Sequence, residues 1–147
     1  MINWPRVSLD TDKGDDLCFG CGQRNPIGLK LQFQWDGQTA RAEFTPQPYH
    51  QGWPGIVHGG VLACLVDEAF GWASVYAGTN CVNARMEMRL KRPARVGEPL
   101  VVTGTITDNK RKLLPARAEL CLTDGTPVAE ATATLYVVSQ RDNDTQP

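Results

Sequence analysis

The segment from Val61 to Ala77 constrains the fold of this chain most, because it is almost entirely apolar, lacks proline and spans about five helical turns. Glycines stand at both of its ends, Gly59 and Gly60 before it and Gly78 after it. Its apolar residues recur with the spacing of a helix at Leu62, Leu65, Val66, Ala69, Phe70 and Ala73. A helix this apolar cannot remain half exposed to water, so the rest of the chain must cover it.

The remaining chain alternates apolar and polar residues, as strands buried on one side do. Two such runs flank the turn at Asp36-Gly37 before the helix, and four more follow it. The runs cover 29–35, 40–44, 82–91, 100–107, 116–122 and 128–138, and the alternation puts Asn83 on the polar face with Arg85 and Glu87. This order predicts an α+β fold, in which a curved antiparallel sheet of about six strands wraps one long central helix.

The length and composition of the chain limit how many domains it can form and which partners it can bind. The 147 residues suit one domain, and we expect an irregular arm over 1–17, a folded domain over 18–138 and a flexible tail over 139–147. The 15 Lys and Arg residues against 16 Asp and Glu give a net charge of -1, which favours neither nucleic acid nor a membrane as partner. With no membrane-spanning segment, no signal-peptide pattern and an odd number of cysteines, five, a cytoplasmic protein is expected.

Both histidines of the chain, His50 and His58, lie in the segment that leads into the helix at Gly59 and Gly60. The first-turn amides of a helix have no partner within it and lie at the positive end of the helix dipole. They can therefore bind an oxyanion or polarise a carbonyl group. The alternative is that the two glycines only permit a tight turn.

Asp67 and Glu68 are the only charged residues in the predicted helix. Adjacent helix positions point about 100° apart, so we expect at least one of the two carboxyl groups to be partly buried. A carboxyl group whose pKa is raised by burial in a cleft is a candidate general base or nucleophile. The alternative is a core carboxylate paired with Arg85 or Arg89.

The spacing of these groups limits how they can act together. Asp67 lies eight residues beyond Gly59, which is roughly 12 Å along a helix. A carbonyl held at the start of one helix is therefore out of reach of Asp67 of the same helix. Two antiparallel helices across a two-fold axis would bring the start of one against the middle of the other, so the catalytic hypothesis requires a homodimer with two composite sites.

Several motifs join these residues along the chain: His58-Gly59-Gly60, an aspartate nine positions after the histidine, Lys91-Arg92-Pro93, and Cys18-Phe19-Gly20-Cys21-Gly22. In this order they resemble the hot-dog-fold acyl-CoA thioesterases, and most closely the branch of the phenylacetate-pathway thioesterase. The resemblance covers nearly the whole chain after the N-terminal arm. It implies the hot-dog fold and hydrolysis of an acyl-CoA thioester to a free acid and CoA by a homodimer or a homotetramer, without redox or metal cofactor.

The resemblance also implies roles for single residues. Gly59, with Gly60 beside it, would polarise the thioester carbonyl through backbone N–H groups. Asp67 would act as nucleophile or as general base on water, and His58 would orient the site. Asn83 stands where many relatives carry Thr or Ser, and its amide can still hold a water molecule or an acyl group.

Two other functions remain open at this point. A hot-dog hydratase or dehydratase of acyl thioesters would pair a loop histidine, here His50, with a helix carboxylate. A non-catalytic acyl-CoA-binding module is the second alternative, and Asn83 is the residue that suggests it. Some hot-dog thioesterases use a helix glutamate, so Glu68 also remains open, although the spacing favours Asp67.

The candidate substrate-binding residues are His50, Glu68, Arg92 and Arg95. Arginine binds phosphate as a fork, which suits the phosphates of CoA, and Lys110, Arg111 and Lys112 offer further positive charge. The alternative for all these cations is the ordinary solvated charge of turns.

Cys18 and Cys21 form a lone Cys-x-x-Cys pair. A structural zinc site takes four ligands, and only His50 or His58 would be available to complete one, so no metal is expected. We expect this segment to pack the arm against the sheet.

Overall fold

The computed structural model describes residues 16–142. Within them, the helix α1 (Gly59–Tyr76) lies against one antiparallel sheet of six strands. The strands are β1 (Gln34–Trp35), β2 (Ala40–Phe44), β3 (Thr79–Leu90), β4 (Leu100–Ile106), β5 (Leu113–Leu122) and β6 (Pro127–Gln140), in the spatial order β1-β2-β4-β5-β6-β3. The predicted α+β architecture, with one central helix and a six-stranded antiparallel sheet, is confirmed.

The apolar stripe of the helix forms the centre of the core. All six residues of the predicted stripe are buried, and Phe70 is fully so. The helix approaches the sheet most closely at Gly104 of β4, where a Cβ atom would overlap the backbone carbonyl of Ala69. The absent side chain at Gly104 therefore lets the middle of α1 rest directly on the sheet.

The expected strand over 29–35 is only partly correct. Leu29 and Leu31 are buried as the alternation predicts, but only Gln34–Trp35 pairs with β2. Lys30 has a φ of 54°, which interrupts an extended strand. The amides of Leu29 and Leu31 instead donate to the carbonyls of Phe19 and Gly20, so this segment holds the 18–21 loop.

The expected alternation along β3 fails at Asn83. The register of β3 against β6 shifts between Asn83 and Arg85, which marks a β-bulge. An extra residue turns the strand over, so Asn83 faces the helix instead of sharing the polar face with Arg85 and Glu87.

The observed strand ends differ from the expected limits of the folded domain. β6 continues through Gln140, so its last residues belong to the sheet and not to a tail beginning at 139. β5 begins at Leu113, three residues before the expected start at 116. Most of the proposed arm and tail, residues 1–15 and 143–147, lies outside the described residues.

β3 forms one edge of the sheet. Among the described residues it pairs only with β6, although it is 12 residues long. The N–H and C=O groups along its other side are therefore available to another strand.

No helix between residues 16 and 142 is long and apolar enough to cross a bilayer.

Candidate active site

The first turn of α1 leaves one amide without an acceptor. His58 is the N-cap, and its Nδ1 accepts a hydrogen bond of 2.8 Å from the Gly60 N–H. The amides of Val61 and Leu62 donate to the His58 carbonyl. In the described part of the chain nothing accepts from the Gly59 N–H, so Gly59 offers the free donor, whereas the Gly60 N–H is engaged by the cap.

The capping bond also fixes the chemistry of His58. A neutral imidazole that accepts at Nδ1 carries its hydrogen on Nε2. The ring is exposed, so the Nε2–H can donate to a ligand that lies beside the helix start. His58 therefore orders the first turn and presents a second donor next to the Gly59 amide.

A cleft of about 360 Å³ opens at Gly59. Its walls are mostly apolar and include Val57, Leu62 and Pro93, and Arg92 lies among the lining residues. An antiparallel bridge between Ile56 and Arg95 holds the loop before the helix against the segment after β3. Gly59, which carries the free amide, therefore lines a groove that suits an apolar chain with a charged end.

The two helix carboxylates face different neighbours. Asp67 is exposed, and its Oδ1 accepts a hydrogen bond of 2.8 Å from Asn83 Nδ2 on the edge strand β3. Glu68 is half-buried and accepts from the thiol of Cys18 at 3.3 Å. Asp67 is therefore the carboxylate held beside the open edge of the sheet, and Glu68 is turned toward the N-terminal loop.

Neither carboxylate is a core ion pair with the arginines named as the alternative. Arg85 contacts Glu87 at 3.4 Å, and among residues 16–142 no ion pair joins Arg85 or Arg89 to Asp67 or Glu68. The bulge explains this, because it turns Asn83 toward Asp67 and leaves Arg85 exposed.

Asn83 has one further unusual property. Its Oδ1 is buried and has no hydrogen-bond partner among the described groups. Buried amide oxygens nearly always accept a hydrogen bond, and no residue of the described chain donates one to this atom.

The sequence profile of the thioesterase superfamily matches residues 54–129, which is slightly more than half of the chain. The chain belongs to the thioesterase superfamily. The matched stretch contains the helix start, the helix carboxylates, Asn83 and the arginines after β3.

One curated relative and two solved structures illustrate the likeness of this thioesterase superfamily protein. The chain is 32% identical over 88 residues to acyl-coenzyme A thioesterase THEM5 of Homo sapiens, a match that covers 58% of this chain and 36% of THEM5. It therefore spans little more than a third of the length of that curated relative.

Two solved structures share the fold. The hypothetical thioesterase protein of Streptococcus pneumoniae TIGR4, solved with coenzyme A, has a TM-score of 0.72 at 18% identity over 76% of this chain and 88% of that chain. The PaaI protein of the E. coli phenylacetic acid degradation operon has a TM-score of 0.72 at 20% identity over 77% and 83%. The resemblance to hot-dog thioesterases is confirmed at the level of fold and superfamily.

The structure divides the predicted phosphate-binding cations of this superfamily member into two groups. Arg92 and Arg95 lie near the Gly59 cleft, but Arg92 bonds to Glu98 at 3.2 Å and so helps to hold its own loop. The Arg95 side chain has no polar partner in the described range. Lys110, Arg111 and Lys112 follow the opposite end of β4, roughly 20 Å from the segment of Arg95.

His50 serves the loop that precedes the helix. Its Nδ1 accepts from the Gln47 amide at 2.9 Å, its carbonyl accepts from the His58 amide, and its ring contacts Phe44. Burial lowers the pKa of His50, which keeps the ring neutral. These contacts show that His50 stabilises the loop. They also engage its Nδ1, one of the two ring nitrogens that acid–base catalysis would need.

Sequence reasoning missed one cluster. Cys18, Cys21 and Glu68 bring one donor atom each within 4.8 Å of one another, although Glu68 is fifty positions away in the chain from Cys18. Neither His50 nor His58 belongs to this cluster. The only available signal was the spacing of the cysteine pair, because a helix carboxylate gives no sequence sign of which loop it will face.

Proposed function

We propose that this protein hydrolyses acyl-CoA thioesters as a homodimer, with Gly59 of one subunit and Asp67 of the other at each active site. The observation that carries the proposal is the pairing of a free Gly59 amide in an apolar cleft with an Asp67 carboxylate fixed by Asn83 at the sheet edge. Membership in the thioesterase superfamily supports the reaction class.

The dimer follows from distance and from the open edge. Gly59 and Asp67 of one helix are roughly 12 Å apart, so one substrate carbonyl cannot meet both. The unpaired side of β3 offers a long strand to a second copy of the chain, and antiparallel pairing of β3 with its copy creates a two-fold axis. Because Asn83 lies on β3, this pairing places Asp67 next to the partner subunit.

The reaction requires a polarised carbonyl and an activated attacking group. The Gly59 N–H donates to the thioester oxygen, where negative charge develops as the carbonyl carbon becomes tetrahedral. As a general base, Asp67 takes a proton from water while the oxygen attacks that carbon, and the C–S bond then breaks to release CoA thiolate. As a nucleophile, Asp67 attacks the carbon itself, CoA leaves, and water hydrolyses the resulting anhydride.

Asn83 and His58 assist these steps. The Nδ2 of Asn83 holds the carboxylate, and its buried Oδ1 has no hydrogen-bond partner among the described residues. His58 Nε2–H provides a donor beside the carbonyl, while its Nδ1 keeps the first turn in place. The Arg95 guanidinium lies near the cleft and has no polar partner among residues 16–142, so Arg95 is the better candidate for a CoA phosphate than Arg92.

The decisive assay follows release of free thiol from a panel of acyl-CoA esters, with loss of enoyl absorbance measured in parallel. Thiol release supports the proposal. Loss of enoyl absorbance without thiol release would instead indicate the hydratase, and binding of acyl-CoA without either change would indicate a binding module. After a single turnover in ¹⁸O-labelled water, label in the Asp67 carboxylate would identify Asp67 as the nucleophile, because it requires an anhydride that water opens at the Asp67 carbon.

A further inference from the structure

The cluster of Cys18, Cys21 and Glu68 lies outside the proposed hydrolytic site and is built from two separate elements. The cysteines belong to the loop before β1, and Glu68 belongs to the middle of α1. The two sulfur atoms and a carboxylate oxygen lie within 4.8 Å of one another, with 3.3 Å between Cys18 Sγ and Glu68 Oε1. All three side chains are half-buried.

The loop that carries the cysteines is held by its backbone. The Gly22 amide donates to the Cys18 carbonyl at 2.9 Å, and the carbonyls of Phe19 and Gly20 accept from Leu29 and Leu31. Gly20 is buried so closely against Glu68 that any Cβ atom there would overlap the Glu68 side chain. The loop backbone therefore packs directly against the Glu68 side chain, whose carboxylate lies beside the two thiols.

The cluster concentrates acidic groups without a cation among residues 16–142. No Lys, Arg or His side chain in that range forms an ion pair with Glu68. Cys64, one helical turn before Glu68, adds a third thiol nearby, and burial followed by the charge of Glu68 raises its pKa to about 12. Burial and Glu68 likewise raise the pKa of Cys21.

We propose that Cys18, Cys21 and Glu68 bind one Zn²⁺ ion. Two thiolates and one carboxylate are ligands that zinc takes in tetrahedral sites, and a Cys-x-x-Cys spacing is common in them. With bond lengths of about 2.0–2.3 Å, such ligand atoms stand roughly 3.3–3.8 Å apart, so the present cluster needs only small side-chain rotations. Water completes the coordination.

A disulfide between the two cysteines explains the arrangement less well. A disulfide would leave the carboxylate of Glu68 without a function, whereas its Oε1 lies 3.3 Å from Cys18 Sγ and its side chain packs against Gly20. The zinc ion ties the N-terminal loop to the helix one residue away from Asp67. It also engages Glu68, which leaves Asp67 as the carboxylate available for hydrolysis.

Metal content and cobalt titration of the reduced full-length protein test this site. We expect about one zinc ion per chain by mass spectrometry of the metals, and after chelation Co²⁺ should produce thiolate charge-transfer bands. Cys18→Ser and Cys21→Ser should abolish these bands, and Glu68→Gln should weaken metal affinity at least about tenfold. Cys121→Ser is the matched control, because this half-buried cysteine of β5 lies outside the cluster and should bind metal normally.

Three results would overturn the zinc site. The first is wild-type protein that contains no stoichiometric zinc and gives no cobalt–thiolate bands, a measurement that does not depend on any variant folding. The second is unchanged metal binding in Cys18→Ser or Cys21→Ser. The third is a Cys18–Cys21 disulfide in protein purified without reductant, detected by mass spectrometry. None of these readouts depends on thioester hydrolysis.

Discussion

The side-chain amide of Asn83 donates a 2.8 Å hydrogen bond to the carboxylate of Asp67 and so joins the edge strand to the middle of the central helix. The bond exists because a bulge in β3 turns Asn83 toward the helix. It sets the direction of a carboxylate that has no other described polar partner, and it holds this group beside the edge strand of the sheet.

Replacing Asp67 by Asn should lower kcat by at least about a hundredfold, because an amide cannot take a proton from water or attack a carbonyl. The measurement is thiol release at saturating acyl-CoA, with the dimer checked by light scattering. Glu119→Gln, an exposed carboxylate on β5, is the matched control and should keep wild-type activity. An Asp67→Asn protein with full activity would end the assignment of Asp67.

Asn83 is expected to act as a positioning residue. Asn83→Ala should reduce kcat by about ten- to a hundredfold with a smaller change in KM, since it removes a hydrogen bond to a charged group. Asn83→Asp should be worse, because it places a second negative charge beside Asp67. Asn83→Thr, which keeps a donor, should recover part of the activity. Equal rates for the alanine and wild-type proteins would contradict this role.

Gly59→Ala separates the binding of the carbonyl from the stability of the helix. Apart from its chain neighbours and its own helix backbone, no atom of residues 16–142 lies within 4 Å of a Cβ atom at Gly59, and alanine favours the helix by up to about 1 kcal/mol. We therefore expect unfolding by urea to be unchanged or slightly harder. The added methyl group would occupy the space of the thioester and lower kcat/KM by about a hundredfold. Normal activity in this variant would place the substrate elsewhere.

His58 should contribute to stability through its cap. His58→Ala removes the acceptor of the Gly60 amide and should lower the free energy of unfolding by about 0.5–2 kcal/mol. His58→Asn supplies a different capping acceptor and should restore most of this loss. Urea denaturation of the three proteins measures the effect, and an alanine variant as stable as wild type would show that the cap has no energetic role.

The sequence predicted the parts of the fold that depend on local pattern. The helix stripe with Leu65 and Phe70 at its centre is buried as expected, because a helix this apolar has few ways to avoid water. The order of the helix and strands along the chain was also predicted correctly. The short strand at Gln34–Trp35 was overestimated, because the preceding residues use their amides to hold the 18–21 loop.

The features that alternation could not predict depend on local backbone geometry and on side-chain contacts that the pattern of apolar residues does not show. A β-bulge interrupts the alternation of β3 at Asn83, and no residue type in the sequence indicates it. Gly60 was expected to face a substrate, but the His58 ring takes its amide. The direction of Glu68 depends on how closely Gly20 packs against it, which only the folded chain reveals.

The composite active site is tested most directly by a mixed dimer of one Asp67→Asn chain and one Gly59→Ala chain, purified through two different tags. If each site uses Gly59 of one subunit and Asp67 of the other, the mixed dimer contains one intact site and one doubly altered site. Its rate of thiol release should then be about half that of the wild-type dimer, although each variant alone is nearly inactive. A mixed dimer as inactive as its parents would contradict an active site shared between subunits.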